Sequence, residues 1–527
     1  MKHARAHSIL PTFVPRSTSY DGRFGRLLGK LPPWVPPGDD EKQQLKNIRD
    51  FAADEMFLEE GTEPPMHPDL PAGYTYFGQF IDHDITFDPT SSLSRQSDPD
   101  GLSNFRSPRL DLDSIYGRGP DDQPYLYQQA RPDGAVGFLL TGTGANGVEP
   151  DLARIRQSDT KAVALIGDPR NDENIIVSQL QLAVICLHNE VLRRVRHLDD
   201  KRLAAGEILA IEPVGQFHEA QRIVRWFYQY LVWNDFVKRL VPQSIWETAL
   251  KPSGTGAGLS LGLKDVYSWK VHPFIPVEFS VAAYRFGHSL IRTGYQLNLP
   301  RQQDTGITPP VGPDFEMPVF DPKGSGKPDL SSGRLLPNLH TIEWDWFFSM
   351  GAPTGFPQMA NLIDTKLARS VFHIPGGTIN PNPLASLNIQ RGWRFQLPAG
   401  TAVAKAMGFT PIALDHPMED SLWVYILKEA QLTQDGKRLG EVGGTIVAAV
   451  FAGLLKGDPL SYVEQDPHWT PDQEPVLAFG PRRPVPANPT GWEIADLLTI
   501  ANVPINPPQV RAAATSGPLP PVSLANL

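Results

Sequence analysis

Apolar positions along this chain recur at helical rather than strand spacing. Over residues 179–197 they fall three and four apart, and the segment EAQRIVRWFYQYLVWNDFVKRL, residues 219–240, repeats that spacing with many aromatics on the apolar side. Residues 277–291, 343–350, 401–407 and 421–431 are further helix candidates. The run GGTIVAAVFAGLL, residues 443–455, is apolar all round, which predicts a helix inside a core; it is too short to span a bilayer. Alternating strand patterns are rare and short. Residues 304–334 and 466–489 read as loops full of Pro, Gly and Asp. The pattern predicts a mainly α fold: one large helical domain over residues 66–490, with long Pro/Gly-rich loops and little β. An N-terminal segment, 1–65, is expected to wrap over the surface, and a Pro-rich C-terminal extension, 491–527, to follow the domain.

Composition narrows the class. Among 527 residues, 41% are hydrophobic and 20% charged, which is globular. The 53 prolines are roughly twice ordinary usage, as expected of irregular connections between helices. The net charge of -10, with no basic run, argues against nucleic acid as a partner. Cys186 is the single cysteine, so no intrachain disulfide forms; its apolar surroundings predict a core position. The N-terminus lacks the apolar run of a secretion signal, which suggests a cytoplasmic protein or one exported by a non-standard route.

Four clusters carry candidate chemistry. In FGQFIDHDITF, residues 77–87, two carboxylates flank one histidine. On a helix Gln79 and His83 share a face, Asp82 lies beside it, and Asp84 is turned about 100° from His83, so one short helix can serve two sites. The same pattern also suits an inert surface helix or a metal site. In SPRLDLDSIYG, residues 107–117, Ser107, Arg109, Asp111 and Asp113 alternate and can point one way. Oxygen donors at that spacing suit calcium, and a solvated acidic loop is the plain alternative. In GDPRNDENIIVSQLQLAVICLHN, residues 167–189, Arg170 and Glu173 are three apart at a helix start, either as an ion pair or as site residues; His188 and Asn189 read as a structural polar pair. In VAAYRFGHSLIR, residues 281–292, His288 stands beside Gly287 with Arg285 three residues earlier, and Asn388 and Arg391 repeat that spacing in LNIQRG, residues 387–392. A glycine there lets something flat approach the backbone. Two such histidines with nearby arginines point to a bound anionic cofactor with carboxylate tails.

In order along the chain, GQFIDHD, SPRLDLDSIYG, GDPRNDE with LHN, YRFGH and LNIQRG resemble the motifs of the animal-type haem peroxidases of the peroxidase–cyclooxygenase superfamily. The similarity spans roughly residues 74–462. Each motif is weak alone; five in order are specific. The resemblance implies haem b and calcium as cofactors. It implies that His83 is the distal acid–base group, with Arg170 and Gln79 beside it. Asp82 and Glu173 match the carboxylates that form ester bonds to haem. His288 matches the iron ligand, Asn388 its hydrogen-bond partner, and Arg285 and Arg391 the propionate anchors. Asp84, Ser107, Arg109 through its carbonyl, Asp111 and Asp113 match the calcium ligands. The implied activity is reduction of hydrogen peroxide through ferryl iron and a porphyrin radical, with oxidation of small donors.

Departures refine the expectation. Asn174 follows Glu173 where myeloperoxidase-type members carry a methionine that forms a third haem link, so iodide, bromide, thiocyanate or phenols are expected as donors rather than chloride. After LNIQRG the chain continues WRFQ where the family commonly has RDHG. A fatty-acid dioxygenase of the same superfamily is the rival, but Arg285 replaces the radical tyrosine three residues before His288, and neighbouring Tyr284 is expected to point elsewhere on a helix. Outside the superfamily, a haem-free calcium-binding scaffold and a divalent-metal hydrolase built on Asp82, His83 and Asp84 are the alternatives.

Overall fold

A computed structural model describes residues 24–503, apart from 60, 88–103, 105, 130–133, 159, 207–210, 254–257, 299–315, 321–328, 338–339, 351–356, 373–382 and 479–490. Parts of the expected terminal segments (1–23 and 504–527) and much of the loops 304–334 and 466–489 therefore lie outside the described residues. The fold is mainly α. Its principal helices are α1 (Glu41–Glu55), α2 (Gly73–Ile85), α3 (Ile175–Ala204), α4 (Pro213–Leu231), α5 (Leu384–Arg394), α6 (Leu422–Gln434), α7 (Glu441–Gly457) and α8 (Ile494–Ile500). Strands among the described residues form only two-stranded ladders, such as Met66–Pro71 antiparallel to Met359–Asn361 and Arg154–Arg156 antiparallel to Ala162–Ala164.

The core helices follow the apolar pattern closely. α3 starts where Asn174 accepts a hydrogen bond from Val177 N, 2.9 Å, as an N-cap. It is the one described helix long and apolar enough to cross a membrane, yet 83% of its apolar window is buried by neighbouring protein, as in a core helix. It packs on α4 and on α2. α4 begins at a proline and runs on through a π-helical turn (Val232–Val237) into Lys238–Leu240, so the expected 219–240 helix is continuous but locally widened. The bulge holds buried Asp235, whose carboxylate accepts from Tyr74 Oη, Arg239 Nε and the backbone N–H of Ile494. α7 is buried along nearly its whole length, and the carboxylate of Glu429 in α6 caps its first turn through Val442 N and Gly443 N. Cys186, expected in the core, is half-buried and packed against it.

Two regions depart from the pattern. Residues 277–291 do not form one α-helix: a π turn (Glu278–Ala282) gives way to a 3-10 stretch (Ala283–His288), with Ala282 outside helical geometry at φ -128° and ψ -71°. Residues 343–350 hold only a 3-10 turn, Trp344–Trp346. Conversely, α1 and α8 lie in the segments expected to be irregular. α1 is mostly polar and buries Ile48, Phe51 and Ala52 alone, so its apolar stripe is thin.

Candidate active site

The cavity of interest lies between α2, the start of α3 and the 3-10 segment Ala283–His288, with a volume of about 340 Å³. α2 turns one face to it: Thr75, Gln79, Asp82 and His83 all line the wall, as i, i+4 and i+7 neighbours do on a helix. Glu173 and Asn174, at the N-terminal end of α3, close one side. Tyr284, Arg285, Phe286, Gly287 and His288 line the cavity from the 3-10 stretch. Three residues per turn places Arg285 and His288 on one edge of the 3-10 stretch. Tyr284 also lines the cavity, contrary to the expectation that it points away; its hydroxyl donates to Gly78 O of α2, 3.1 Å.

Both histidines sit in surroundings that favour the neutral ring. Burial, reinforced by the Arg170 charge, lowers the His83 pKa to about 4. Burial, with the charges of Arg285 and Arg391, lowers that of His288 to about 3. The Asn388 amide lies 2.7 Å from His288 Nδ1. The atom facing the ring is the amide nitrogen, Nδ2; an iron at Nε2 would require this amide to be turned over so that its oxygen accepts Nδ1–H. His83 Nδ1 lies 2.7 Å from Asn171 Oδ1. Glu173 opens onto the cavity, but surrounding protein strips it of bulk water and raises its pKa to about 7. Gln79 Nε2 donates to Glu173 Oε1, while Gln79 Oε1 accepts from Asn174 Nδ2, 3.1 Å. Asp82 accepts from Thr86 Oγ1, 3.1 Å. The guanidinium of Arg391 lies over the Phe395 ring.

Arg170 does not line the cavity. Its guanidinium donates to His83 O (3.0 Å), to Thr86 O and to both oxygens of Asp168, and stacks over Phe87 with 4.7 Å to the ring centre. Asp168 is fully buried and also binds Arg106. Burial alone would raise its pKa, but hydrogen bonds from Arg170 and the charges of Arg106 and Arg170 hold it at about 2. Sequence reading missed Asp168. Its signal was the Asp-Pro-Arg order: Asp168 caps the 3-10 turn Pro169–Asp172 by accepting from Arg170 N, 2.9 Å.

The other side of α2 carries Asp84. It is buried, Oδ2 accepts from Leu112 N at 3.2 Å, and Oδ1 has no hydrogen-bond partner. Burial, followed by the neighbouring charges of Asp111 and Asp113, raises its pKa well above the carboxylate range. Ser107 Oγ donates to Asp111 Oδ2, 2.7 Å. Arg109 Nε lies 3.8 Å from Asp458, and α4 holds the loop through Arg225 to Asp111 O and Gln229 to Leu110 O. Among the described residues, no group of three or more His, Cys, Asp or Glu side chains is arranged to hold a metal ion. His188 and Asn189 act structurally: the Tyr116 hydroxyl lies 3.0 Å from His188 Nδ1, and Asn189 bonds both backbone groups of Leu139.

Residues 94–420 match the Animal haem peroxidase family; this is more than half of the chain, and the chain belongs to that family. This places it in the peroxidase–cyclooxygenase superfamily, a family that uses haem. His288 lies within the matched span and His83 before it. Among curated relatives, the chain is 26% identical to a peroxidase-like protein of Margaritifera margaritifera, over 77% of this chain and 56% of the relative. It is 27% identical to chorion peroxidase of Drosophila melanogaster, over 64% and 39%. The chain thus spans about half the length of the curated relatives it matches. The fold is shared with peroxidase A of Dictyostelium discoideum (TM-score 0.55, 14% identity, 86% of this chain and 92% of that one). It is also shared with fatty acid alpha-dioxygenase of Oryza sativa (TM-score 0.53, 15% identity, 85% and 81%).

The cavity fits haem. Two histidines whose pKa values are lowered by burial, Arg285 and the carboxyl groups of Asp82 and Glu173 line it together. A Cβ at Gly287, beside His288, would meet nothing within 4 Å, so the space at the candidate iron ligand is open.

Proposed function

We propose that this chain is a haem peroxidase that reduces hydrogen peroxide and oxidises small donors such as iodide, bromide, thiocyanate or phenols. The observation that carries the reading is the pair His83 and His288, each in contact at Nδ1 with an asparagine side chain and both lining one cavity. His288 would hold the iron through Nε2, with Arg285 and Arg391 near the propionates. Haem, when bound, would supply iron and two-electron redox chemistry. His83 Nε2 would take a proton from one peroxide oxygen and return it to the other. Arg170, bonded to His83 O, holds the histidine's backbone from behind. Gln79, fixed between Glu173 and Asn174, orients an amide towards the cavity and places water or a halide. The Asn174 side chain is engaged with Val177 N and Gln79, which fits the expectation of two haem ester links, at Asp82 and Glu173, and no third.

Calcium belongs to the same reading. The buried Asp84 carboxylate, crowded by the charges of Asp111 and Asp113, would favour a nearby cation, although the three carboxylates do not stand together as a ready ligand group. Such an ion would clamp α2 to the loop from Ser107 to Asp113. The test is peroxide-dependent oxidation of iodide or a phenol by haem-loaded protein. No peroxide consumption with any of these donors overturns the reading.

One observation favours a second reading, a fatty-acid dioxygenase: Tyr284 lines the cavity. Against it, that hydroxyl is donated to Gly78 O, and Arg285 occupies the position three residues before His288. Oxygen uptake with a long-chain fatty acid, abolished by Tyr284→Phe, would favour it.

A further inference from the structure

We propose that Asn171 and Gln181 are positioning residues that set the tautomer of His83, keeping the proton on Nδ1 and leaving Nε2 as a ready base. The side chains form one relay. His83 Nδ1 lies 2.7 Å from Asn171 Oδ1; Asn171 Nδ2 donates to Gln181 Oε1 at 2.8 Å; Gln181 Nε2 donates to the backbone carbonyl of Ser114 at 2.8 Å. Asn171, Gln181 and Ser114 are all 0% exposed, so bulk water cannot substitute for any member.

The direction of the relay is dictated from its far end. A backbone carbonyl can only accept. Gln181 must therefore present its NH2 to Ser114 O, which leaves its own oxygen facing Asn171. Asn171 must in turn present its NH2 to Gln181, which leaves Oδ1 facing His83. An oxygen at that place calls for N–H at Nδ1. A neutral imidazole carries one N–H, so Nε2 keeps its lone pair. Reversing either amide sets oxygen against oxygen or N–H against N–H in a buried setting, where unmatched polar groups are costly.

The anchor is itself fixed. Ser114 O also accepts from Gly167 N, 2.9 Å, and a Cβ at Gly167 would stand 2.3 Å from Asp113 O and 2.7 Å from Ser114 O. Gly167 thus permits the contact that joins the one-turn helix Asp113–Tyr116 to the turn bearing Asn171. Gln181 lies in α3, so three separate segments must be in register for His83 to carry its proton on Nδ1.

The inference rests on the peroxidase reading only for its use in catalysis; the tautomer can be read without turnover. The test loads the histidine-15N-labelled protein with zinc protoporphyrin, a diamagnetic stand-in for haem, and assigns the His83 ring nitrogens by difference from His83→Gln. The expected wild-type ring is a single Nδ1–H form. Gln181→Met, which removes both ends of the middle amide and touches neither His83 nor the cavity wall, should give a tautomer mixture. Its haem-loaded form should bind cyanide and react with peroxide about threefold more slowly or worse, in proportion to the competent fraction. Asn171→Asp in the Gln181→Met background should restore both readouts, because a carboxylate offers an oxygen whichever way it turns. An Nε2–H ring in the wild type overturns the proposal even where a variant does not fold. So does a Gln181→Met protein with wild-type tautomer and cyanide rate, or a double variant without recovery. A wild-type protein with the Nδ1–H ring but no reaction with peroxide upholds the tautomer and overturns the peroxidase reading instead.

Discussion

Arg170 Nη2 donates to the carbonyl oxygen of His83 across 3.0 Å, so the arginine grips the histidine's backbone rather than reaching into the cavity beside it. The grip is held from behind by Asp168, which binds Arg170 and Arg106 together. The segments carrying His83 and Glu173 are thereby fastened to each other by buried charge.

Asp168→Asn should destabilise the protein by about 3 kcal/mol or more, because it leaves two arginines without their buried carboxylate. Lys46→Ala, which breaks an exposed pair with Asp50, should change stability by less than about 1 kcal/mol. Denaturant midpoints compare the two directly. Equal effects would contradict the central place given to Asp168.

His288→Ala should lose haem or hold it loosely. The measurement is the ratio of haem absorbance to protein after gel filtration, and an unchanged ratio with full activity contradicts the assignment of His288 as iron ligand.

Asp82→Val should leave at most the Glu173 ester, and Glu173→Gln at most the Asp82 ester. Haem retained by the polypeptide through acid–organic extraction should fall in each and vanish in the double variant. Unchanged retention in all three would contradict ester attachment.

The His83 pKa of about 4 fixes the sign of the pH response. Above that value the ring is neutral and can accept a proton; below it the base is lost. The rate of reaction with peroxide should therefore stay level from neutral pH downwards and fall about tenfold per unit below about pH 4. For stability, the folded pKa lies below the unfolded value of about 6.5. The contribution of this neutral ring is then present above pH 6.5 and is lost as pH falls towards 4. A rate that falls already near pH 6.5 would contradict the burial-driven shift.

Chelation of calcium should lower the thermal midpoint by about 2 °C or more, and Asp84→Asn should remove the chelator's effect. An identical response in wild type and Asp84→Asn would contradict a role for Asp84 in a cation site.

The fold class was legible because the long apolar helices announce themselves: residues 443–455 and 179–197 both lie inside helices of the core. α1 was not, since EKQQLKNIRDFAADE carries only a thin apolar stripe and follows a Pro/Gly-rich stretch. The 277–291 segment has helical periodicity, but it breaks at Ala282 and winds more tightly afterwards, where it packs against α2 and α6. Within the site, Gln79, Asp82 and His83 were placed together from helix geometry alone. Local spacing also paired Arg285 with His288. Asn171 and Gln181 were invisible because their roles depend on a carbonyl at Ser114, distant in sequence. The orientation of Arg170 was not legible either, because it depends on Asp168 and on carbonyls at the end of α2.

The most direct test of the central claim is an absorption spectrum of the purified protein, taken with haem supplied, before and after acid–organic extraction. The account predicts a Soret band, with a fraction staying on the polypeptide after peroxide turnover. No Soret band even with haem supplied would contradict it and leave a calcium-stabilised scaffold as the better description.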